Sequence, residues 1–161
     1  AGLAETESIL DKAIELTRTL SSELSPPFLR KEGLAAALRW LQKEMGDKHH
    51  LEVNLLLEKQ AGLRYAELDG LLFQTVRELL FNIVKHAGTR SARLSLKQNN
   101  SRIIVRVEDD GRGFDTADLE KRYPDHGLFR CQKRIMLHGG ELHVKSTPGS
   151  GTCVVFHLPL S

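Results

Sequence analysis

The chain has 161 residues, 40% of them hydrophobic and 27% charged, the balance of an ordinary globular domain with enough length to bury a core. Its formal charge is only +2, and Lys and Arg are scattered rather than gathered into a stripe, which argues against nucleic acid as a partner. No apolar run approaches the roughly 20 residues of a membrane span and no signal peptide is visible, so no membrane contact is expected of this stretch. It begins with Ala1 rather than Met and is read as a piece of a longer protein. Cys131 and Cys153 stand far apart in apolar surroundings, which suggests two buried thiols in a reducing, cytoplasmic compartment.

Residues 4–24, "AETESILDKAIELTRTLSSEL", carry Ile9, Ala13, Ile14, Leu16, Thr17 and Leu20 at helical spacing, and Ser25-Pro26-Pro27 stops the run. A lone amphipathic helix ahead of Pro-Pro reads as an attachment, either a linker or part of a dimer interface; an ordinary first helix of the domain is the alternative. The boundary is drawn between residues 1–25 and residues 26–161.

"EGLAAALRWLQKEM" puts Leu34, Ala37, Leu38 and Leu41 on one side of a second helix. "HLEVNLLLE" alternates Leu51, Val53 and Leu55 as a short strand. "LDGLLFQTVRELLFNIVKHA" is a long, strongly apolar helix. "ARLSLKQ" and "RIIVRVED" form a hairpin through Asn99-Asn100. "DTADLEKRYPD" is polar and irregular. "HGLFRCQKRIMLHGG" is a helix with Gly139-Gly140 where a left-handed cap is wanted. "ELHVKST" and "TCVVFHL", joined by "PGSG", make a second hairpin. Helices alternating with two hairpins predict an α+β fold, a two-layer sandwich in which a mixed, mainly antiparallel sheet carries its helices on one face.

In the long helix Thr75, Glu78, Asn82, Lys85 and His86 recur three or four apart and fall on one arc, with Leu72, Val76, Leu79, Leu80, Ile83 and Ala87 on the opposite one. A solvated face would explain this. An Asn in mid-helix, however, is a poorer helix former than the usual Lys and Glu. Acid, amide, amine and imidazole in one row could instead serve a nucleotide's phosphates and a magnesium ion.

"RVEDDGRGFD", Arg106 to Asp115, ends a strand on two acids and then two glycines around an arginine. It is no calcium loop, because Gly111 and Gly113 offer no side-chain oxygen where ligands are needed. The P-loop and the full Rossmann fingerprint are absent, and the cysteines lack zinc-ligand spacing. A carboxylate at a strand end with a glycine turn suits a flat ligand whose amino group needs an acceptor; a glycine turn with an incidental acid remains open. Asp110 has no role beyond solvation on this reading.

Together, "ELLFNIVKHA", "DDGRGF", "HGLFR" and "GGELHVKSTPGSGTCVVFHLP" resemble the N box, the glycine boxes and the closing hairpin of the ATP-binding catalytic domain of sensor histidine kinases. These belong to the superfamily of DNA gyrase and the Hsp90 chaperones, with its Bergerat-type fold. The lead-in "LSPPFLRKEGLAAALRWL" resembles the bacterial nitrate-sensor and membrane-fluidity-sensor subfamily. The resemblance implies ATP and Mg²⁺ as ligands, with Asn82 coordinating the ion and Glu78 polarising the attacking group. It puts Lys85 and His86 near the phosphates, Asp109 on the adenine amine, and Gly111 and Gly113 at close backbone approach. It implies further contacts from Gly127 and Leu128 at a helix start, from Thr152 through a water, and a lid over 115–125. The second glycine box is reduced to Gly127. None of the seven histidines is followed by an acid, so the phosphoacceptor histidine is expected on a dimerisation helix before residue 1, with residues 4–24 resembling the end of its second helix. The implied activity is protein-histidine kinase in two-component signal transduction, with a response regulator as the further partner. A non-catalytic nucleotide sensor, a serine-kinase relative and a ligand-free scaffold are the alternatives.

Overall fold

The computed structural model describes residues 29–58, 66–99, 101–117 and 127–160. The expected helix over 4–24, the boundary at residue 25 and lid residues 118–125 lie outside the described residues.

Helix α1, Leu29–His49, leaves helical geometry at Gly33 (φ 81°, ψ 176°), so its regular body begins at Leu34. From there Leu34, Ala37, Leu38, Leu41 and Met45 are fully buried, the i, i+3, i+4, i+7 stripe of a helix lying on a core. Strand β1, Glu52–Leu57, follows directly, and Gln42 Nε2 of α1 donates to the Val53 carbonyl at 2.7 Å. Helix α2, Ala66–Asn82, packs beside α1, with Trp40 and Phe73 ring centroids 6.4 Å apart. Its last turn widens into a π-turn, Ile83–Ala87, which Gly88 ends in the left-handed conformation at φ 67°.

Strands β2, Ser91–Gln98, and β3, Arg102–Asp109, form the first hairpin. The Asn99 N–H donates to the Arg102 carbonyl at 3.1 Å, and Asn99 Oδ1 accepts the N–H groups of Ser101 and Arg102, each at 3.0 Å. The reversal therefore spans Asn99–Arg102, slightly later than the Asn99-Asn100 pair suggests. Helix α3, Gly127–Leu137, ends as expected: Gly139 has φ 73°, and the Gly140 N–H donates to the Ile135 carbonyl at 3.0 Å. Strands β4, Glu141–Ser146, and β5, Thr152–Pro159, close the described chain.

The sheet order is β1-β2-β3-β5-β4. Only β1 with β2 is parallel; β2–β3, β3–β5 and β4–β5 are antiparallel. Ala92, Leu94, Leu96, Ile103, Val105, Val107, Leu142, Val154, Phe156 and Leu158 are buried against the helices. Their neighbours along the strands, such as Arg93, Lys97, Arg106, His143 and Lys145, are exposed. This period-two division leaves one sheet face to the helices and the other open, the two-layer α+β sandwich expected.

Candidate functional site

A cavity of about 390 Å³ opens between the C-terminal end of α2, the loop after β3, and the starts of α3 and β5. Asn82, Lys85 and His86 line one wall. Asp109, Arg112, Gly113 and Phe114 line another, and Leu128 and Thr152 complete it. Leu79, Ile83, Val107 and Val154 supply apolar surface. The volume and the mixture, apolar walls with a few converging polar groups, fit a small-molecule site.

The end of α2 and the π-turn that continues it form this wall together. The two arcs are neighbours rather than opposites: at 100° per residue Leu79 and Ile83 fall beside His86 and Asn82, and all six of Leu79, Asn82, Ile83, Lys85, His86 and Ala87 face the cavity. Widening the last turn rotates the residues past Asn82 relative to those before it, and such insertions recur at functional sites. The expected polar arc is also shorter than proposed, because Thr75 is fully buried and its hydroxyl donates to the Leu71 carbonyl at 2.8 Å. Asn82 makes no side-chain bond capping the π-turn, and it lines the cavity.

Asp109 ends β3 on the helix-facing side and is buried, 6% exposed. Its Oδ1 accepts the Gly111 N–H at 2.8 Å. Burial pushes its carboxyl above the usual Asp range, opposed first by the Gly111 N–H. The charge on Asp110 raises it further, whereas the Thr152 backbone and Arg93 work the other way. A buried, acceptor-only carboxylate on a cavity wall is suited to an amino group.

The glycine loop is clamped from two sides. The Arg112 N–H donates to the Ala87 carbonyl at 2.7 Å, and the Gly149 N–H donates to the Arg112 carbonyl at 2.6 Å. Ser146 Oγ accepts the Phe114 N–H at 2.9 Å, lies 2.9 Å from Thr152 Oγ1, and donates to the Gly151 carbonyl at 3.0 Å. Gly113 has φ 59°, and a Cβ there would collide with the Thr147 carbonyl; one on Gly151, φ 75°, would collide with the Asp109 carbonyl. At Gly111 it would strike Ala87. The fold itself therefore requires the glycines that the sequence suggests for ligand approach.

Of the sequence-proposed residues, Asn82, Lys85, His86, Asp109, Gly113, Leu128 and Thr152 meet at the cavity. Glu78, Gly111 and Gly127 are not lining residues. Glu78 lies one turn before Asn82, its Oε1 3.3 Å from Arg130 Nη2, and Gly127 packs directly on that carboxylate, since a Cβ there would overlap Glu78 Oε1. Arg112, Phe114 and Ser146 were missed. The alternation of "STPGSGT" in front of β5 is the local signal that could have pointed to Ser146. Asp110 is not merely solvated: Arg93 Nη1 and Nη2 hold its two oxygens at 2.9 and 3.0 Å on the open sheet face, keeping its carboxyl below the usual range.

The chain is similar in sequence and in fold to known proteins. The chain is 32% identical over 155 residues to the oxygen sensor histidine kinase NreB of Staphylococcus carnosus, covering 96% of this chain and 44% of that protein. It is 30% identical to an uncharacterized sensor-like histidine kinase of Chloroflexus aurantiacus, covering 99% of this chain and 28% of that one. The chain thus spans less than half the length of these two relatives. Among solved structures, a blue-light activated histidine kinase of Erythrobacter litoralis EL346 superposes with a TM-score of 0.64 at 25% identity, over 80% of this chain and 42% of that one. Residues 68–161, which include every residue lining the cavity, match a family profile described as histidine kinase-, DNA gyrase B-, and HSP90-like ATPase. The chain belongs to that ATPase family.

Proposed function

We propose that the chain binds ATP with Mg²⁺ in this cavity and donates the γ-phosphoryl group to a histidine on a dimerisation helix, as the catalytic domain of a two-component sensor kinase. The observation that carries the reading is Asp109, a buried carboxylate sharing one cavity with Asn82, Lys85 and His86. Asp109 accepts from the adenine amino group, and the apolar walls cover the purine. Lys85 and Arg112 supply positive charge for the phosphates, helped by the N-terminal N–H groups of α3.

The donor set fits magnesium. Asn82 offers an oxygen with no capping bond to the π-turn, and Mg²⁺ takes few protein ligands, completing its shell with water and phosphate oxygens. When bound, the ion neutralises charge on the transferring phosphoryl group. Glu78 orients the attacking imidazole; to do so it exchanges its bond to Arg130 for one to the incoming ring. Gly111 and Gly127 act through close packing, and Thr152 supports Asp109 through a water. In the whole protein the phosphoryl group passes to a cytoplasmic response regulator.

Calorimetric titration with ATP and ADP, with and without Mg²⁺, tests the reading. Micromolar to sub-millimolar binding that Asp109→Asn abolishes supports it. Absence of binding by the folded wild type refutes it. Transfer of labelled phosphate to a supplied acceptor domain then separates a kinase from a nucleotide sensor.

A further inference from the structure

The open face of the sheet carries a second cluster, remote in chemistry from the cavity. Glu141 and His143 are two apart on β4 and therefore point to the same side. Across the strand boundary Glu141 pairs in register with His157 of β5. His143 Nε2 lies 3.3 Å from Glu141 Oε2, and His157 Nε2 lies 3.9 Å from the same oxygen. One ligand atom from each of the three residues falls within 4.8 Å of the others, and the imidazole centroids are 6.4 Å apart with the rings tilted by 32°.

Two ligand atoms bound at about 2.0–2.1 Å to a tetrahedral ion stand roughly 3.3–3.4 Å apart. The Glu141–His143 separation already matches that edge. The Glu141–His157 edge closes by a small rotation of Glu141, whose side chain is 66% exposed, and the edge between the two imidazoles, within 4.8 Å, closes by rotation of His143, whose side chain is 69% exposed. Two imidazoles with one carboxylate select borderline metals over Mg²⁺ and Ca²⁺, which prefer all-oxygen shells. From this geometry we propose that Glu141, His143 and His157 form a binding site for a zinc-class divalent ion, with its fourth position open to solvent. The bound ion ties the edge strand β4 to β5. Lys145, on the same face of β4, places a positive charge nearby and lowers the affinity for a cation. The zinc spacing absent from the cysteines is supplied instead by strand pairing.

The test is titration of the untagged chain with Zn²⁺ against a chromophoric chelator. One ion per chain is expected, with no competition from Mg²⁺. His143→Ala and His157→Ala should each weaken binding by about tenfold or more, as even outer-shell changes at metal sites do. Circular dichroism checks that the variants remain folded. Zinc should also shift the imidazole NMR signals of His143 and His157 in the wild-type chain ahead of those of the other histidines, a readout needing no variant. A wild type that binds no zinc, or one whose affinity survives both substitutions, overturns the proposal and leaves Glu141 as a simple ion-pair partner of the two rings.

Discussion

The Asp109 carboxylate is held by the chain two residues ahead of it: Oδ1 accepts the Gly111 N–H at 2.8 Å. The bond fixes the rotamer of a group that burial would otherwise discourage from ionising. Because the folded pKa is raised, the folded state binds more protons than the unfolded chain in that window. Stability is therefore lost as pH rises from the ordinary Asp range through the folded pKa. Asp109→Asn should leave the ligand-free domain at least as stable as wild type at neutral pH, by urea denaturation, while removing ATP binding. Loss of both would make Asp109 a folding residue only.

Asp69 gives a pH dependence that does not involve the site. It is buried in the first turns of α2, its Oδ1 has no hydrogen-bond partner, and burial raises its pKa from 3.8 to about 6. Its contribution has the same sign, with stability falling between pH 3.8 and about 6. Asp69→Asn should flatten that slope and stabilise the domain near pH 7.5 by up to about 2–3 kcal/mol. Denaturant midpoints at pH 4 and pH 7.5 measure it, and an unchanged slope would assign it elsewhere.

Ser146 joins the glycine loop to the closing hairpin through Phe114, Gly151 and Thr152. Ser146→Ala leaves the Phe114 N–H and the Thr152 hydroxyl short of a partner, at a cost of about 1–2 kcal/mol. Thermal unfolding should register that loss, and ATP affinity should fall several-fold as the loop loosens. Gly151→Ala should be worse, by about 2–4 kcal/mol, since it combines a left-handed backbone with a clash on the Asp109 carbonyl.

Glu78 is bonded to Arg130 rather than aimed into the cavity. Glu78→Gln should keep ATP affinity within about threefold yet lower phosphoryl transfer to an acceptor domain by about 100-fold or more, the range for a general acid or base. Unimpaired transfer would remove Glu78 from the chemistry.

The two thiols should react in sequence. Burial, with the Glu78 charge adding to it, pushes Cys131 up to about 12, whereas Cys153 is only half-buried on the open sheet face. Mass spectrometry of alkylated peptides should find Cys153 modified well before Cys131, which reacts on unfolding. Equal rates would contradict the burial of Cys131 on the inner side of α3.

The sequence by itself determined what local periodicity encodes. Alternation in 92–98 and 102–109 set two strands and their inward faces, the Leu34-to-Leu41 spacing set the buried side of α1, and Gly139-Gly140 set the end of α3. The acid-glycine stretch at Asp109 marked a segment that lines the cavity. Only the tertiary structure decided relations between residues distant in the chain. The stacking of the loop after β3 and the starts of α3 and β5 against the end of α2 brought Leu79, Ile83 and Asn82 into one cavity wall. Burial against the core removed Thr75 from the polar arc. Strand pairing joined Arg93 to Asp110 and Glu141 to His157, and the folded hairpin brought Ser146 to Phe114. Side-chain periodicity records only which way each residue faces along its own element; which partner waits there is decided by how the elements are stacked.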